Sequence, residues 1–259
     1  MSENRVKRIL ESGAVALGAC IHVPATAHVD IVGRAGFDFV MIDAEHGMFG
    51  MTTAGELIRV ARALNVTPII RVLQSEPEII MKALDLGAQG VVIPHVASRE
   101  DAVRAVAACR YGPDGRRGAC PIVAAADYNL GDWKTFQRRA NEETLVLALI
   151  EEMAGVENIE EIASVDGVDV IFLGPFDLSV SSGYEGNVEH PQIKQALDHV
   201  LEVARKHQKP TMIAAGTSGG DIGAWIEKGV RMVMQSADSL VFSRACREFL
   251  TEHEHLRKV

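Results

Sequence analysis

Eight short apolar runs recur along this chain, and most of them are separated by stretches with the periodicity of an amphipathic helix. The runs are nearly continuous, without the apolar–polar alternation of a half-exposed strand, so they predict strands that are buried on both faces. The predicted strands cover residues 14–21, 37–46, 67–72, 90–96, 145–152, 169–177, 209–216 and 231–238. The predicted helices between them cover residues 52–64, 76–87, 99–109, 157–165, 191–207 and 219–228.

Strands of this kind, alternating with helices, are typical of α/β proteins whose parallel sheet is covered on both faces. Eight such strands close into a barrel, so we predict a (β/α)8 TIM barrel. A doubly wound open sheet is the alternative, but no G-x-G-x-x-G motif follows the first predicted strand. A length of 259 residues suits one barrel domain over residues 1–259.

Three segments lie outside the repeating pattern. A predicted helix over residues 3–11 would plug the bottom of the barrel or pack on its rim, and Leu240–Val259 has the pattern of a charged terminal helix. Residues 110–144 are longer than a connection in such a barrel needs. They predict a functional loop that contains a helix near residues 132–141.

The charge balance restricts the possible partners. The chain has 35 acidic and 26 basic residues and a formal net charge of −9. We therefore expect no binding to nucleic acid or to anionic membranes through its overall field. No N-terminal hydrophobic stretch and no run of membrane-spanning length is present. Scattered cysteines without a C-x-x-C motif are typical of reduced thiols, so we expect a cytoplasmic protein. The cysteines are Cys20, Cys109, Cys120 and Cys246.

Two carboxylates follow apolar runs at matching places. Glu151 comes directly after the run LVLALI, and Asp177 follows VIFL and a Gly-Pro pair. Either acid alone is better explained as an exposed rim charge or a helix N-cap than as a metal ligand. As a pair at the ends of neighbouring strands, they favour a site for Mg²⁺ or Mn²⁺, because both offer only oxygen donors and zinc prefers nitrogen and sulfur.

Other polar residues also fall at predicted strand ends, where barrels of this type carry their chemistry. Arg71 interrupts an apolar strand, and its permanent charge requires an anion, either a structural acid or a substrate oxygen. His46 follows Asp43 and Glu45, which favours proton transfer over a capping role. The two acids either orient His46 or hold metal-bound water. His95 also lies near a strand end, and we interpret it as a structural histidine.

Six segments that carry these residues span most of the chain in order. They are GFDFVMIDAEHG (36–47), PIIRV (68–72), KALDLGAQGVVIPHV (82–96), RYGPDGRRG (110–118), ALIEE (148–152) and GVDVIFLGPFDLSVSSGYEGNVEHP (167–191). Together they resemble the HpcH/HpaI aldolase/citrate lyase family, and within it the metal-dependent (class II) pyruvate aldolases. Such enzymes include 4-hydroxy-2-oxoheptanedioate and 2-dehydro-3-deoxyglucarate aldolases.

The resemblance implies reversible cleavage of a 4-hydroxy-2-oxoacid to pyruvate and an aldehyde. It makes Glu151 and Asp177 the ligands of a divalent metal, with Mg²⁺, Mn²⁺ or Co²⁺ as the cofactor. It assigns Arg71 to the keto oxygen of pyruvate and its enolate, and the backbone amides around Phe176 and Asp177 to the carboxylate. It also implies a homo-oligomer, a hexamer built as a trimer of dimers, with the C-terminal helix swapped between subunits.

The same resemblance assigns the proton transfer. His46 becomes the residue that moves the proton of the aldol hydroxyl, and Asp85, within KALDLG, becomes its partner. A Schiff-base lysine is not required by this chemistry, and the strand-end residues singled out above include no lysine.

Three positions depart from the pattern that many members of the family share. Leu149 stands where glutamine is common, Glu152 where Thr or Ser is common, and Phe176 where Ala or Ser is common. All three lie near the predicted substrate pocket, so they bear on which acceptor the site takes. One alternative is carbon–carbon bond formation of the citrate-synthase type, from oxaloacetate and an acyl thioester. A barrel that binds a 2-oxoacid without catalysis is the other.

Overall fold

Eight parallel strands close into a barrel in the order in which they occur along the chain. The structure is a computed structural model that describes residues 3–128, 131–215 and 221–257. The predicted (β/α)8 barrel is therefore confirmed, whereas the assignment of residues 1–259 to a single domain stays a prediction. The strands are β1 (Ala16–Ile21), β2 (Phe39–Asp43), β3 (Thr67–Arg71), β4 (Gly90–Ile93), β5 (Leu145–Ile150), β6 (Val170–Leu173), β7 (Thr211–Ala214) and β8 (Met232–Ala237).

The helices surround this barrel and close its lower end. They are α1 (Arg5–Glu11), α2 (Thr26–Ala35), α3 (Met51–Ala63), α4 (Pro77–Asp85), α5 (Arg99–Cys109), α6 (Trp133–Glu143), α7 (Met153–Glu157), α8 (Ile159–Ala163), α9 (Pro175–Ser181), α10 (Pro191–Lys206), α11 (Ile222–Glu227) and α12 (Asp238–Glu252). Sequence reasoning missed α2 and α9, and its predicted helix over residues 157–165 includes α8 but only the last residue of α7. Part of the helix predicted at 219–228, and Gly216 of the strand predicted at 209–216, lie outside the described residues.

Strand β2 shows why the apolar runs lack alternation. Phe39 and Met41 belong to the cluster that fills the barrel, while Val40 and Ile42 belong to the cluster between barrel and helices. Both faces of the strand are thus buried in apolar surroundings, as parallel barrels require.

Helix α1 plugs the bottom of the barrel. Val6 is fully buried and packs in the interior cluster. Asn4 caps the helix and donates from Nδ2 to the backbone carbonyls of Gln89 and Glu143, at 2.9 and 2.8 Å. The sequence left open whether this helix plugs the bottom of the barrel or packs on its rim. In the structure it plugs the bottom.

Several strands end earlier than the sequence suggested, and the ends of β6 and β2 show why. β6 ends at Leu173 because Pro175 begins α9, where a fixed φ and a missing N–H suit a first helical turn. β2 ends at Asp43, whose Oδ1 accepts hydrogen bonds from the backbone N–H groups of Glu45 and His46. Asp177 consequently lies in the first turn of a helix, not at the end of a strand.

Helix α12 differs from the other long helices because it has no buried residue. It exposes large apolar side chains, including Phe242 at 71% and Phe249 at 62%. Among the described residues, no helix is both long and apolar enough to cross a membrane. All four cysteines are free thiols.

Candidate active site

A cavity of about 450 Å³ opens at the end of the barrel where the strands terminate. Five of the predicted site residues line it: His46, Arg71, Glu151, Phe176 and Asp177. The other described residues that line it are mainly apolar, with His22, Ser236 and Ser239 among the polar ones. Because parallel strands direct their C-terminal ends to one mouth, residues from distant segments converge here.

Arg71, at the end of β3, is held by Asp43 at the end of β2. Its Nε donates to Oδ1 of Asp43 at 2.9 Å, and its Nη2 donates to Oδ2. Nε2 of His22 lies 2.7 Å from the same Oδ2, and Asp43 is fully buried. Burial alone would raise the pKa of Asp43, but the hydrogen bonds from His22 and Arg71 hold it well below its usual range. Asp43 is thus the fixed anion that this strand arginine requires.

Glu45 supports the other side of the guanidinium. Its Oε2 lies 3.1 Å from Nη1 of Arg71 and 3.9 Å from Nε2 of His46. The side chain of Glu45 is 10% exposed, whereas that of His46 is 62% exposed. The structure therefore brings Arg71 and His46 together around one acid, with the imidazole open to the cavity.

Glu151 presents a buried carboxylate beside Asp177, which lies exposed in the first turn of α9. Burial, together with smaller contributions from Asp177 and Glu45, raises the pKa of Glu151 to about 7, against the opposing effect of His95. Gly174 permits the close approach of the two segments, because a Cβ there would lie 2.7 Å from Cβ of Glu151.

His95 lies in the same mouth, although its sequence context suggested only a structural role. Its backbone N–H donates to Oε1 of Glu151 at 2.8 Å. Its Nδ1 lies 2.9 Å from Oε1 of Glu152, and its Nε2 lies 3.7 Å from Oε1 of Glu45. Burial lowers the pKa of His95, but Glu151, Glu152 and Glu45 together raise it above its ordinary value. The available sequence signal was its place at the end of β4, the neighbour of β5.

Asp85 does not join this group within one chain. It is the last residue of α4 and accepts a hydrogen bond from Nη2 of Arg117 at 2.7 Å. The Arg117 side chain is buried and lies over the ring of Tyr111, 4.4 Å from its centroid. The loop motif GRRG therefore holds one arginine inside the fold, and Asp85 is the acid that pairs with it.

A second group of possible ligands lies deeper in the mouth. Donor atoms of Cys20, His22 and Asp43 all lie within 4.8 Å of one another. However, both oxygens of Asp43 accept hydrogen bonds from Arg71. Burial also raises the pKa of the Cys20 thiol far above its ordinary value, which disfavours the thiolate that metals bind. This group is better suited to holding Arg71 than to binding a cation.

A sequence model of the HpcH/HpaI aldolase/citrate lyase family matches residues 21–242. The chain belongs to this family. The 5-keto-4-deoxy-D-glucarate aldolase of Enterobacter sp. (strain 638) is 34% identical over 245 residues, 95% of this chain and 94% of that protein. The corresponding aldolase of Klebsiella pneumoniae is 33% identical over 95% of this chain and 94% of that protein.

Solved structures agree with this assignment to the HpcH/HpaI family. The crystal structure of citrate synthase SbnG is similar with a TM-score of 0.89 and 30% identity, covering 99% of this chain and 100% of that one. The structure of a family member from Burkholderia cenocepacia J2315 is similar with a TM-score of 0.89 and 30% identity, covering 97% of this chain and 99% of that one. The predicted family and the predicted enzyme class, an aldolase-type carbon–carbon lyase, are confirmed.

Proposed function

We propose that the protein cleaves a 4-hydroxy-2-oxoacid reversibly to pyruvate and an aldehyde, with a divalent metal held by Glu151 and Asp177. One observation carries this proposal. A buried carboxylate, a second acid, a fixed guanidinium and an open imidazole line one cavity in a family of aldolases. Relatives named 5-keto-4-deoxy-D-glucarate aldolase make that compound the first substrate to test.

The donor set fits a hard divalent cation. Glu151 is buried close to two other acids, Asp177 and Glu45, and burial is the main cause of the raised pKa of its carboxyl. Carboxylate oxygens with open positions beside them suit Mg²⁺ or Mn²⁺, with Co²⁺ a further candidate. When bound there, the metal supplies Lewis-acid stabilisation of negative charge on the substrate's oxygens.

The side chains of the protein supply the remaining chemistry. Arg71, fixed by Asp43 and Glu45, presents positive charge where the enolate oxygen of pyruvate develops. His46, exposed to the cavity, accepts the proton of the aldol hydroxyl during cleavage and returns it during synthesis. Backbone amides at Phe176 and Asp177 bind the pyruvate carboxylate.

Asp85 has a role in this proposal only if the enzyme is an oligomer. Within one chain it pairs with Arg117 and lies apart from His46, so a second copy would have to supply it. The exposed apolar side chains of α12 favour such an assembly. We propose a hexamer, a trimer of dimers, in which α12 packs on a neighbouring subunit. Mass photometry that finds only monomers would contradict this arrangement.

Exchange of the pyruvate methyl protons tests the central proposal without knowledge of the aldehyde. With Mg²⁺ in D₂O, the wild-type protein is expected to exchange these protons, as followed by proton NMR. Arg71→Ala is expected to lower the rate by about 10²- to 10³-fold, because it removes the charge that stabilises the enolate. Circular dichroism checks that the variant folds. Undiminished exchange in excess EDTA would contradict a metal-assisted mechanism.

The similarity to citrate synthase SbnG favours a second candidate reaction. In it, the same site would join oxaloacetate to an acyl thioester. Release of free thiol from acetyl-coenzyme A with oxaloacetate, without cleavage of any 4-hydroxy-2-oxoacid, would favour this reaction over the aldolase.

A further inference from the structure

The backbone of His95 adopts a conformation that side chains seldom occupy. Its φ is +54°, in the left-handed region, two residues after the end of β4. For a residue other than glycine this conformation costs on the order of 1 kcal/mol and persists where the surroundings impose it. Such residues concentrate at functional sites. The His95 side chain is 61% exposed, so burial of its ring does not explain why the strain is kept.

The contacts of His95 with Glu151 explain why this strained backbone conformation is kept. Its backbone N–H donates to Oε1 of Glu151 at 2.8 Å, and its Nδ1 lies 3.3 Å from the same oxygen. One residue thus reaches the buried carboxylate with both its main chain and its ring. The left-handed turn is what directs both groups toward β5.

Glu152 fixes the ring of His95 in turn. Its Oε1 lies 2.9 Å from Nδ1, close enough for a hydrogen bond that selects the tautomer with a proton on that nitrogen. Glu152 is 42% exposed and makes no side-chain capping bond to α7. The backbone carbonyl of Glu152 accepts hydrogen bonds from Gly155 and Val156 of α7, whereas the described contact of its side chain is with His95.

We propose that His95 and Glu152 are positioning residues that fix the orientation of the Glu151 carboxylate for binding a divalent cation. This inference rests on the proposed function, because it assumes the metal site at Glu151 and Asp177. Carboxylates that bind metals are themselves oriented by hydrogen bonds, and loss of such partners typically weakens metal affinity by about 10- to 100-fold.

Manganese binding to the full-length protein tests the proposal directly. Free Mn²⁺ is followed by electron paramagnetic resonance in titrations of wild type, His95→Asn, Glu152→Ala and the double variant. Asparagine tolerates positive φ and keeps the N–H to Glu151, so His95→Asn removes only the ring. We expect the Kd to rise by about tenfold or more in His95→Asn and by less in Glu152→Ala.

The double variant separates a shared role from two independent ones. Because Glu152 acts through His95, the double variant is expected to bind Mn²⁺ no more weakly than His95→Asn alone. Melting temperatures measured in EDTA are expected to stay close to that of wild type. His199→Asn, on an exposed position of α10, is the matched control and is expected to leave the Kd unchanged.

Three outcomes would overturn the proposal. One is an unchanged Kd in His95→Asn, or, if that variant does not fold, in Glu152→Ala. Another is a nitrogen coupling to bound Mn²⁺ that disappears in His95→Asn, which would make the imidazole a direct ligand. The third is that wild type binds no Mn²⁺, which refutes the proposed metal site as well, whereas the first two leave that site intact.

Discussion

The two sides of the barrel mouth are built from different chemistry. The side formed by β2 to β5, the charged arc, carries Asp43, Glu45, His46, Arg71, His95 and Glu151. The side formed by β6 to β8 and the start of α12, the apolar arc, carries Phe172, Phe176, Ala214, Met234 and Leu240. Asp177 lies where the two arcs meet. On the charged arc, hydrogen bonds and ion pairs fix the side chains relative to one another. The named residues of the apolar arc form the wall of the cavity and contribute no charged side chain.

This division separates the reacting end of a substrate from the rest of it. Among the described residues that line the cavity, Arg71 is the sole guanidinium or ammonium group, and acids of its own arc already surround it. If a substrate carries a second anionic group at its other end, the named residues of the apolar arc offer that group no cationic side chain. We therefore propose that the charged arc determines whether the reaction occurs and that the apolar arc determines which aldehyde takes part.

The largest expected effect comes from neutralising the charged arc at Glu151. Glu151→Gln keeps the shape of the side chain but removes the charge proposed to bind the metal, so we expect kcat/KM for retro-aldol cleavage to fall by about 10³-fold or more. Steady-state kinetics with saturating Mg²⁺ measure this. Glu189→Gln, an exposed acid outside the cavity, serves as the control. A kcat/KM of Glu151→Gln within tenfold of the wild-type value would show that Glu151 is not required for the reaction.

A smaller effect is expected from the apolar arc. Phe176→Ala removes a half-exposed ring from the cavity wall, so we expect the preference for benzaldehyde over acetaldehyde to rise about tenfold. Relative kcat/KM values in the synthesis direction measure that preference. Val180→Ala, an exposed residue of the same helix that does not line the cavity, provides the comparison. Equal preferences in wild type and Phe176→Ala would show that this arc does not select the aldehyde.

The smallest effect concerns stability, through Asp43. A carboxyl whose pKa is depressed in the fold stabilises it above the unfolded pKa of about 4, and this contribution is lost as the pH falls toward the folded pKa. We expect it to decrease by up to about 1.4 kcal/mol per pH unit below about pH 4. Urea unfolding of wild type and Asp43→Asn measures it. The difference between their free energies of unfolding should narrow on acidification, and a constant difference would contradict the depressed pKa.

The charged arc could be predicted from the sequence because charge after an apolar run is conspicuous. Arg71 and Glu151 each follow a run that reads as a buried strand, and the closure of the barrel brings their ends together. The apolar arc could not be predicted in this way. Phe172 and Met234 look like any other core residues until the strands are placed and their ends are seen to face a cavity.

Two individual residues show where sequence reasoning reaches its limit. The place of His95 near a strand end is compatible with a position in the mouth, but a single histidine favours a structural role by default. Its link to Glu151 depends on the pairing of β4 with β5. Asp85 could be singled out from the sequence through the resemblance of the segment KALDLG to the family. Its contact with Arg117 could not be predicted, because local sequence does not determine the course of the loop that carries Arg117.

The seam of the barrel has a consequence for how the protein is made. Its first and last strands meet beside the cavity, and Asp238 accepts the backbone N–H of His22 from 216 positions further along the chain. Ser236, Ser239 and Leu240 complete the wall at the same place. A chain emerging from the ribosome therefore carries the whole charged arc long before it can enclose a substrate. The described wall of the cavity is complete only once the start of α12 has been synthesised.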